Sequence, residues 1–420
     1  MTDNIRSLDF PEDLFRYIDE NARKDTALLA FQNKNKSYPF DLKFAFLQID
    51  LRKRFKNKFP SILNNRNFLF PDRIAAEQSS SEATALLHQK IAGKKLNKVI
   101  DMTGGMGIDS IYLAQNARNL IVCEIEEERA KLLKHNIEAL CLQNIDVKCV
   151  PSPDFLQETN EKFDLIFIDP ARRDDNDRRV YSLNDCKPDI DEILPLMIRK
   201  ADRIIVKCSP MLDITATERK YKNISFISVI MVKGECKEIL LEFNKKQDSS
   251  VDSSQNEPEN ISPVRKVINL NNNGEIIYEL NLKGIGREGR IEYLKNESDI
   301  KIGNFIYEPD KGLMKFQPWK ELVNLYLGLK KLSNDSHLFI SDKLIEDFPG
   351  RILRITSLPN KKDIKRLKGE KINVLCRNYP LSADKLAESI KVKSGQDKFL
   401  IGTRIGCNPI LLIAEKVPGN

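Results

Sequence analysis

The sequence predicts an α/β protein built around a Rossmann-like sheet, and three observations support this. The apolar run Val99–Ile100 ends in Asp101, and a glycine-rich turn and an apolar-periodic helix follow it. Strand-like and helical patterns then alternate over residues 99–208. Two more strand-like runs, 225–232 and 236–243, flank a short turn, and because no helix fits between them we expect an antiparallel hairpin.

Each element of the alternating region has its own pattern of apolar residues. We predict further strands over 120–124, 146–150, 163–169 and 203–207, and helices over 129–142 and 191–200. Polar or acidic residues follow most of these strands, at the edge where open α/β sheets bind their ligands.

The composition is that of a globular protein. Hydrophobic residues make up 41% of the 420 residues, and no apolar run is long enough to cross a bilayer. The N-terminal stretch is acidic and polar, unlike a secretory signal peptide. The 8 cysteines occur singly, without a Cys-x-x-Cys pair, and only 3 histidines are present. We therefore expect a cytoplasmic protein with reduced cysteines and without a metal site.

Positive charge is concentrated in one N-terminal segment. Residues 33–73 hold ten basic and three acidic side chains, and the difference of +7 equals the net charge of the whole chain. Eight aromatic residues are interleaved with the basic ones. These rings could stack on unpaired bases while Arg52, Lys53 and Arg54 contact phosphates. Alternatively, the rings form the core of a small helical domain whose basic residues are solvated.

The glycine-rich loop is the first candidate ligand site. Gly105 and Gly107 are expected to let the backbone approach a ligand closely, since neither has a Cβ atom. Glu124 closes the second strand about twenty residues later, where an acidic side chain can hold both hydroxyls of a ribose.

The acid before the loop indicates the kind of ligand. A carboxylate at Asp101 would repel the pyrophosphate of a dinucleotide but attract an ammonium group, and S-adenosylmethionine carries an ammonium group, a ribose and an adenine. The adenine could meet Asp154 and Phe155 after the third strand, unless Asp154 is an ordinary loop acid. A tight turn in another α/β enzyme, such as a nicotinamide oxidoreductase, is the alternative for the loop alone.

Several short motifs follow one another along most of the chain. They are EQSSSEATA at 77–85, DMTGGMGID at 101–109, FIDPARR at 167–173, the run from YEPD at 307–310 to FPGRI at 348–352, RNYPLSADKL at 377–386 and IGTRIG at 401–406. In this order they resemble a bacterial family of class I methyltransferases with a C-terminal THUMP-like domain. The resemblance implies S-adenosyl-L-methionine as the cofactor. It also implies an RNA substrate, tRNA or rRNA, because THUMP domains bind RNA in enzymes that modify these molecules.

A parallel sheet that ends in an antiparallel hairpin is also typical of class I methyltransferases rather than of dehydrogenases. The loop departs from the superfamily pattern at Thr103, where a glycine is usual, but Gly104 can supply the flexibility. The predicted cofactor-binding residues are Asp101, Thr103, Gly104, Gly105, Gly107, Glu124, Asp154 and Phe155.

The predicted catalytic pair, Asp169 and Pro170, closes the fourth strand. It is similar to the motif of amino-directed nucleic-acid methyltransferases, although the second proline and the aromatic residue of that motif are absent. Arg172 and Arg173 follow, and they either bind phosphate bidentately or pair with nearby aspartates. Tyr181 is a candidate for the missing ring.

Composition and pattern divide the chain into five parts. We predict a basic helical domain over 1–75, the methyltransferase domain over 76–245, a polar linker or loop over 246–263, a ferredoxin-like module over 264–345 and a THUMP-like domain over 346–420. Within the ferredoxin-like module we expect strands over 267–270 and 276–282 and one helix over 313–332.

The predicted reaction is methyl transfer to an exocyclic nitrogen of an RNA base. The carboxylate of Asp169 and the carbonyl of Pro170 could accept hydrogen bonds from the amine, and these bonds strengthen as positive charge develops on nitrogen. The base would have to leave its stack to react. A DNA or protein methyltransferase is one alternative, and a non-catalytic RNA-binding protein with a structural S-adenosylmethionine site is another.

Overall fold

A computed structural model describes residues 10–34, 36–172, 183–245, 262–282, 290–395 and 397–418. Two units divide the chain, Met1–Glu279 and Leu280–Asn420. Within the described ranges, each helix is too short or too polar to cross a membrane.

Between residues 96 and 168, the strands and helices of the first unit alternate. Its described helices are α1 (Glu12–Asn21), α2 (Thr26–Gln32), α3 (Leu42–Phe55), α4 (Arg73–Gln78), α5 (Glu82–Ala92), α6 (Ile108–Ala114), α7 (Glu127–Ala139), α8 (Ser152–Glu158), α9 (Ile190–Lys200) and α10 (Ile214–Lys220). The strands from residue 96 to residue 281 are β1 (Leu96–Asp101), β2 (Ala117–Cys123), β3 (Ile145–Lys148), β4 (Phe163–Ile168), β5 (Ala171–Arg172), β6 (Cys186–Lys187), β7 (Ala201–Cys208), β8 (Ile224–Val232), β9 (Glu235–Asn244), β10 (Val264–Leu270) and β11 (Ile276–Asn281).

The main sheet has the strand order β11-β10-β8-β9-β7-β4-β1-β2-β3 among the described residues. Strands β3, β2, β1, β4 and β7 are parallel. Strand β9 is antiparallel to both β7 and β8. The predicted parallel sheet followed by an antiparallel hairpin is therefore confirmed. Its centre is a core of fully buried residues that includes Val99, Leu165, Phe167 and Ile205.

Strands β10 and β11 extend this sheet beyond the hairpin. The sequence predicts a ferredoxin-like module over residues 264–345, but β10 pairs in parallel with β8 along all seven residues of Val264–Leu270. Val267 and Leu270 are completely buried there. The physical reason is that β8 would otherwise present an unpaired edge, which β10 covers. Most of the predicted linker lies outside the described residues.

The N-terminal helices α1 to α3 form, as the sequence predicts, and a short extended segment ties them to the sheet region. Gln48 on α3 donates to the carbonyl of Phe70 and accepts from its N–H, both at 2.8 Å. Asn136 on α7 does the same with Leu69, again at 2.8 Å. Two buried amides thus replace the strand partners that this segment lacks, which satisfies its backbone polar groups.

The aromatic residues of the basic segment are core residues. Phe44, Phe55, Phe59, Phe68 and Phe70 are buried. Tyr38, Phe40 and Phe46 are half-buried, and all three pack around Tyr17. The interpretation in which these rings stack on bases is therefore wrong, and the alternative of a helical core is correct. Burial of these aromatic rings stabilises the packing of the helices, and a ring in the core is not available to stack on a base.

The second unit is an α+β fold, as predicted. Its described helices are α11 (Lys311–Phe316), α12 (Trp319–Leu325), α13 (Lys361–Arg366) and α14 (Ala383–Ile390). Its strands are β12 (Phe305–Pro309), β13 (Lys330–Lys331), β14 (Phe339–Ser341), β15 (Gly350–Ser357), β16 (Asn373–Cys376), β17 (Lys398–Ile405) and β18 (Asn408–Lys416), in the sheet order β13-β14-β12-β15-β18-β17-β16.

The single helix predicted over 313–332 is wrong. Two short helices, α11 and α12, occupy most of this range, and β13 follows them. Gln317 adopts a left-handed conformation with φ of 49°, and Pro318 has no N–H to continue a helix. The apolar periodicity continues across this break, so it concealed the end of the first helix.

Three of the sequence motifs in this unit meet at one glutamate. Glu308 accepts from Arg377 at 2.5 Å with one carboxylate oxygen and lies 3.1 Å from Arg351 with the other. Its side chain is only 12% exposed. The YEPD, FPGRI and RNYP motifs are thus joined by one half-covered ion-pair network.

The amide of Gln48 gives a direct test of how the N-terminal helices are held. We expect Gln48→Leu to lower the free energy of unfolding by about 2–4 kcal/mol, because it leaves the N–H and the carbonyl of buried Phe70 without partners. Urea titration measures this loss.

Gln89→Leu is the matched control. Gln89 bonds to exposed Gln115, where water can replace the lost hydrogen bond, so a change below about 1 kcal/mol is expected. Equal effects of the two substitutions would contradict the assigned role of Gln48.

Candidate active site at the carboxyl ends of the central strands

Each glycine of the loop between β1 and α6 has its own physical requirement. A Cβ atom at Gly104 would lie 2.8 Å from Val122, and one at Gly107, whose φ is +80°, would lie 2.3 Å from Leu133. Gly105 also has a positive φ, but a Cβ there would meet nothing within 4 Å. Gly104 and Gly107 therefore serve the packing of the loop, and Gly105 faces open space. Of the two glycines predicted to approach a ligand, Gly105 is open to one, whereas Gly107 is required for packing against Leu133.

Asp101 binds the loop through hydrogen bonds of its buried carboxylate. It is 1% exposed, and its carboxylate accepts from the N–H of Thr103 at 3.0 Å and from the hydroxyl of Ser110 at 2.5 Å. Burial raises the pKa of Asp101 to about 7 against the opposing effect of these hydrogen bonds. Its main visible role is to join the loop to the first turn of α6.

Glu124 lies beside the loop, as the sequence predicts. Its carboxylate accepts from the N–H of Gly105 at 2.8 Å and from the N–H of Glu126 at 3.0 Å. The next residue, Ile125, is 67% exposed, which is unusual for a large apolar side chain beside a polar loop. Sequence reasoning missed Ile125, although an isolated apolar residue after an acidic strand end was a usable signal.

Asp154 and Phe155 lie on α8, after β3. Asp154 is exposed and Phe155 is half-buried. In the described part of the chain, no hydrogen bond joins either of them to the glycine-rich loop. Their predicted contact with an adenine remains a prediction.

Thr103 connects the loop to the second motif. Its hydroxyl accepts from the backbone N–H of Asp169 at 2.7 Å and lies 3.4 Å from Asp101. A glycine at this position could not make these bonds, which explains the departure from the superfamily pattern. Through Thr103, the ends of β1 and β4 are joined, and Asp169 and Pro170 follow immediately beside the loop.

The side chain of Asp169 is 36% exposed and is bound from one side by a lysine. Lys207, near the end of β7, donates to Oδ2 of Asp169 at 2.5 Å. Burial raises the pKa of Asp169 above its ordinary value, and the charge of Lys207 acts against that rise. Asp169 thus combines an accessible carboxylate with a fixed cationic neighbour.

A buried ion triad lies beneath this pair. His88 on α5 is completely buried, with Nδ1 2.7 Å from Asp109 and Nε2 bonded to Glu238. Ser80 donates to the second oxygen of Asp109 at 2.7 Å. In the described residues, no group of three or more His, Cys, Asp or Glu could hold a metal ion.

The neighbouring charges determine the pKa of His88 and of Asp109. Burial alone would lower the pKa of His88, but Glu238 and Asp109 raise it to about 10. Burial alone would raise the pKa of Asp109, but His88 holds it at about 2. Burial likewise works against the charge of Lys207, whose pKa is nevertheless raised by Asp169, Asp109 and Glu238.

His88, Lys207 and Glu238 are site residues that were not predicted from the sequence. Lys207 follows the apolar run Ile204–Val206, which was a usable signal, but His88 and Glu238 lie in segments with several other polar residues. Their meeting could not be read from the sequence, because α5, β7 and β9 are far apart along the chain. The hydroxyl of Ser81 caps α5 by accepting from the N–H of Thr84 at 3.2 Å.

The basic residues predicted to contact nucleic acid have varied surroundings. Arg52 is half-buried and donates to backbone carbonyls between Leu63 and Phe68. Lys53 is exposed and donates to the carbonyl of Lys24. Arg54 lies 2.8 Å from Glu77. Arg52 therefore supports the chain itself.

Only the backbone of Arg172 is described; it belongs to β5, which pairs with β6. Arg173 and Tyr181 lie outside the described residues, so their predicted roles stay predictions.

The protonation of His88 is directly measurable. We expect its ring to carry both protons at pH 8 and to lose one near pH 10 in a nitrogen-15 NMR titration. Because its pKa is raised, its contribution to stability is complete below about pH 6.5 and is lost as the pH rises towards 10.

His337 is the internal comparison, since burial lowers its pKa and its ring should be neutral at pH 8. A neutral His88 ring at pH 7.5 would contradict the ion triad.

Comparisons with known proteins cover both units. Family models match residues 305–349 as a ferredoxin-like domain and residues 350–416 as a THUMP-like domain. The crystal structure of a "putative methyltransferase" from Porphyromonas gingivalis W83 matches with a TM-score of 0.78 and 26% identity, over 96% of this chain and 98% of that one.

Two shorter likenesses were also found. An rRNA methylase from Streptococcus thermophilus has 11% identity over 39% of this chain and 95% of its own. TrmK of M. capricolum, in complex with S-adenosyl-homocysteine, has 17% identity over 40% of this chain and 71% of its own. Both have TM-scores of 0.31.

No curated protein matches the sequence. The resemblance that the motifs carry is nevertheless confirmed by the family models and by the P. gingivalis structure. The chain therefore combines a methyltransferase-like α/β unit with a C-terminal ferredoxin-like domain and THUMP-like domain.

Proposed function

We propose that this protein is an S-adenosylmethionine-dependent methyltransferase that acts on RNA, with an exocyclic amino group of a base as the acceptor. The observation that carries the proposal is the hydrogen bond from the N–H of Asp169 to Thr103, because it joins the candidate acceptor site to the candidate donor loop. The likeness to the P. gingivalis protein, which is described as a "putative methyltransferase", supports methyl transfer.

The residues of the loop fit the proposed donor. Gly105 adjoins open space, the carboxylate of Glu124 lies beside it, and the exposed side chain of Ile125 offers an apolar surface for an adenine ring. Glu124 would hold the ribose hydroxyls, and Asp154 and Phe155 are proposed to contact the adenine. S-adenosylmethionine supplies an electrophilic methyl group when bound.

The acceptor chemistry belongs to Asp169 and Pro170. The carboxylate of Asp169 and the carbonyl of Pro170 would accept hydrogen bonds from an amino group and hold its lone pair in one orientation. These bonds strengthen as the nitrogen becomes positive, so they stabilise the transition state more than the bound substrate. Asp169 is then the group that receives a proton from the methylated nitrogen.

RNA is the proposed partner because of the THUMP-like domain and the distribution of charge. Lys34, Lys36, Lys43 and Lys56 are exposed, and none has an ion-pair partner in the described ranges. Such unpaired lysines attract a phosphate backbone by counterion release. We propose that these lysines, together with Lys53 and Arg54, contact the RNA, in a cytoplasmic enzyme.

Glu124 tests the donor site. We expect Glu124→Ala to weaken S-adenosylhomocysteine binding by about 1–3 kcal/mol, since it removes a carboxylate that would bind the ribose and that orders the loop at Gly105. Isothermal titration calorimetry measures the change.

Glu126→Ala is the control, because Glu126 pairs with Arg129 at an exposed position two residues away. Wild-type affinity in Glu124→Ala, together with a normal melting temperature, would remove Glu124 from the donor site.

Asp169 tests the reaction and its substrate class. We expect the wild-type protein to transfer a tritiated methyl group from S-adenosylmethionine to total RNA from cells lacking the gene. Asp169→Asn should lower this rate by about 10²–10³-fold, the scale of losing one preorganised polar contact, and leave S-adenosylhomocysteine affinity unchanged.

Asp202→Asn is the control, because Asp202 is exposed at the opposite end of β7. Transfer to DNA or to protein but not to RNA would overturn the substrate class. Donor binding without transfer to any of the three would favour a non-catalytic RNA-binding protein.

A further inference from the structure

Asp169 is not an isolated carboxylate, and its partner is built into the sheet. Lys207 bonds to Oδ2, whereas Oδ1 has no donor in the described part of the chain. We propose that Lys207 is a positioning residue for methyl transfer: it fixes the Asp169 carboxylate through Oδ2 and leaves Oδ1 to accept the hydrogen bond of the substrate amino group. This inference rests on the proposed function.

The position of Lys207 is unusual for a lysine without a role. It lies on β7, the fifth strand in the order of the described nine-stranded sheet, and is 8% exposed, between Val206 at 0% and Cys208 at 8%. An apolar residue would fill this place without the cost of burying an ammonium group. The strand before it, from Ile204 onward, is apolar throughout, so the charge enters only where β7 reaches the site.

The groups around the pair come from five elements. Besides Lys207 from β7, those that face Asp169 or Lys207 are Asp101 from β1, Asp109 from α6, Glu238 from β9 and Lys58 from the segment after α3, and His88 from α5 lies between Asp109 and Glu238. The amine of Lys58 is itself held by the carbonyls of Ala76 and Glu77, at 2.8 Å each. Among the described residues, Lys207 is thus the cation that contacts Asp169 directly.

The ion pairs of the site suit the reaction. They join the carboxylates of Asp169, Asp109 and Glu238 to Lys207 and His88. Methyl transfer from a sulfonium to a neutral amine moves positive charge onto the nitrogen beside Asp169. A carboxylate that is already fixed by Lys207 stabilises that charge without reorganising.

Lys207 also determines the pH range in which Asp169 can act. Without the ammonium group, burial and repulsion from Asp101, Asp109 and Glu238 would raise the pKa of Asp169 further. Asp169 would then be protonated at a pH where the wild-type residue is ionised. A protonated Asp169 accepts hydrogen bonds less strongly than the carboxylate does. A purely structural role of Lys207 predicts no such displacement.

The test compares Lys207→Met with the wild type on the same tritium assay with total RNA, from pH 5.5 to pH 9.5. We expect kcat to fall about tenfold to a hundredfold at pH 7, which is a smaller loss than the one expected for the Asp169 variant. The affinity for S-adenosylhomocysteine should be unchanged. The acid limb of the kcat profile should move to higher pH, so that the variant recovers part of its activity as the pH rises.

The control is Lys98→Met, which removes another lysine of the same sheet. Lys98 lies on β1, 3.1 Å from Glu161, with about a third of its side chain exposed. Its kcat profile should coincide with that of the wild type.

The double variant Asp169→Asn/Lys207→Met removes both charges and so avoids leaving one buried alone. If Lys207 acts through Asp169, the double variant has the same turnover as Asp169→Asn. This comparison decides the matter even if Lys207→Met alone fails to fold.

Three results would overturn the inference. They are an unshifted acid limb in Lys207→Met, wild-type turnover in that variant, or a further loss of turnover when Lys207→Met is added to Asp169→Asn. Absence of transfer by the wild-type protein would instead overturn the proposed function, and this inference with it, so the two failures are distinguishable.

Discussion

Near the carboxyl ends of the central strands, buried charged side chains form ion pairs with one another instead of being solvated by water. The candidate site depends on this pairing. Asp109 and Glu238 keep the pKa of His88 high at its buried position, and His88 in turn holds the pKa of Asp109 low. The three residues come from α5, α6 and β9, so their pairing also holds these elements together. Lys207 and Asp169 lie at the exposed end of the same group of charges.

The glycine-rich loop and the Asp169 motif form one structure rather than two neighbouring motifs. Thr103 bonds to the backbone of Asp169 and lies beside Asp101, while Glu124 bonds to Gly105. A displacement of any of these strand ends therefore moves the others. Such a connected arrangement can keep a donor and an acceptor aligned, which is a large part of what catalysis of a two-substrate transfer requires.

The motifs of the second unit have a comparable structural origin. Glu308 forms ion pairs with Arg351 and Arg377, so three separate motifs are needed to build one ion-pair network. Gly350 is required at the same place, because a Cβ atom there would lie 2.2 Å from the carbonyl of Glu308. Part of the motif pattern in this unit therefore reflects folding, whatever the domain binds.

The sequence by itself determined the parallel sheet, the hairpin of β8 and β9, the glycine-rich loop and the proximity of Glu124 to it, because apolar periodicity and turn residues act locally. Tertiary structure alone decided the rest. It buried the rings around Phe59, engaged Arg52 with backbone carbonyls, added β10 to the first sheet and brought His88, Glu238 and Lys207 to Asp169. The physical reason is that burial and ion pairing depend on which distant segments of the chain come into contact. A local pattern of residues does not specify those contacts.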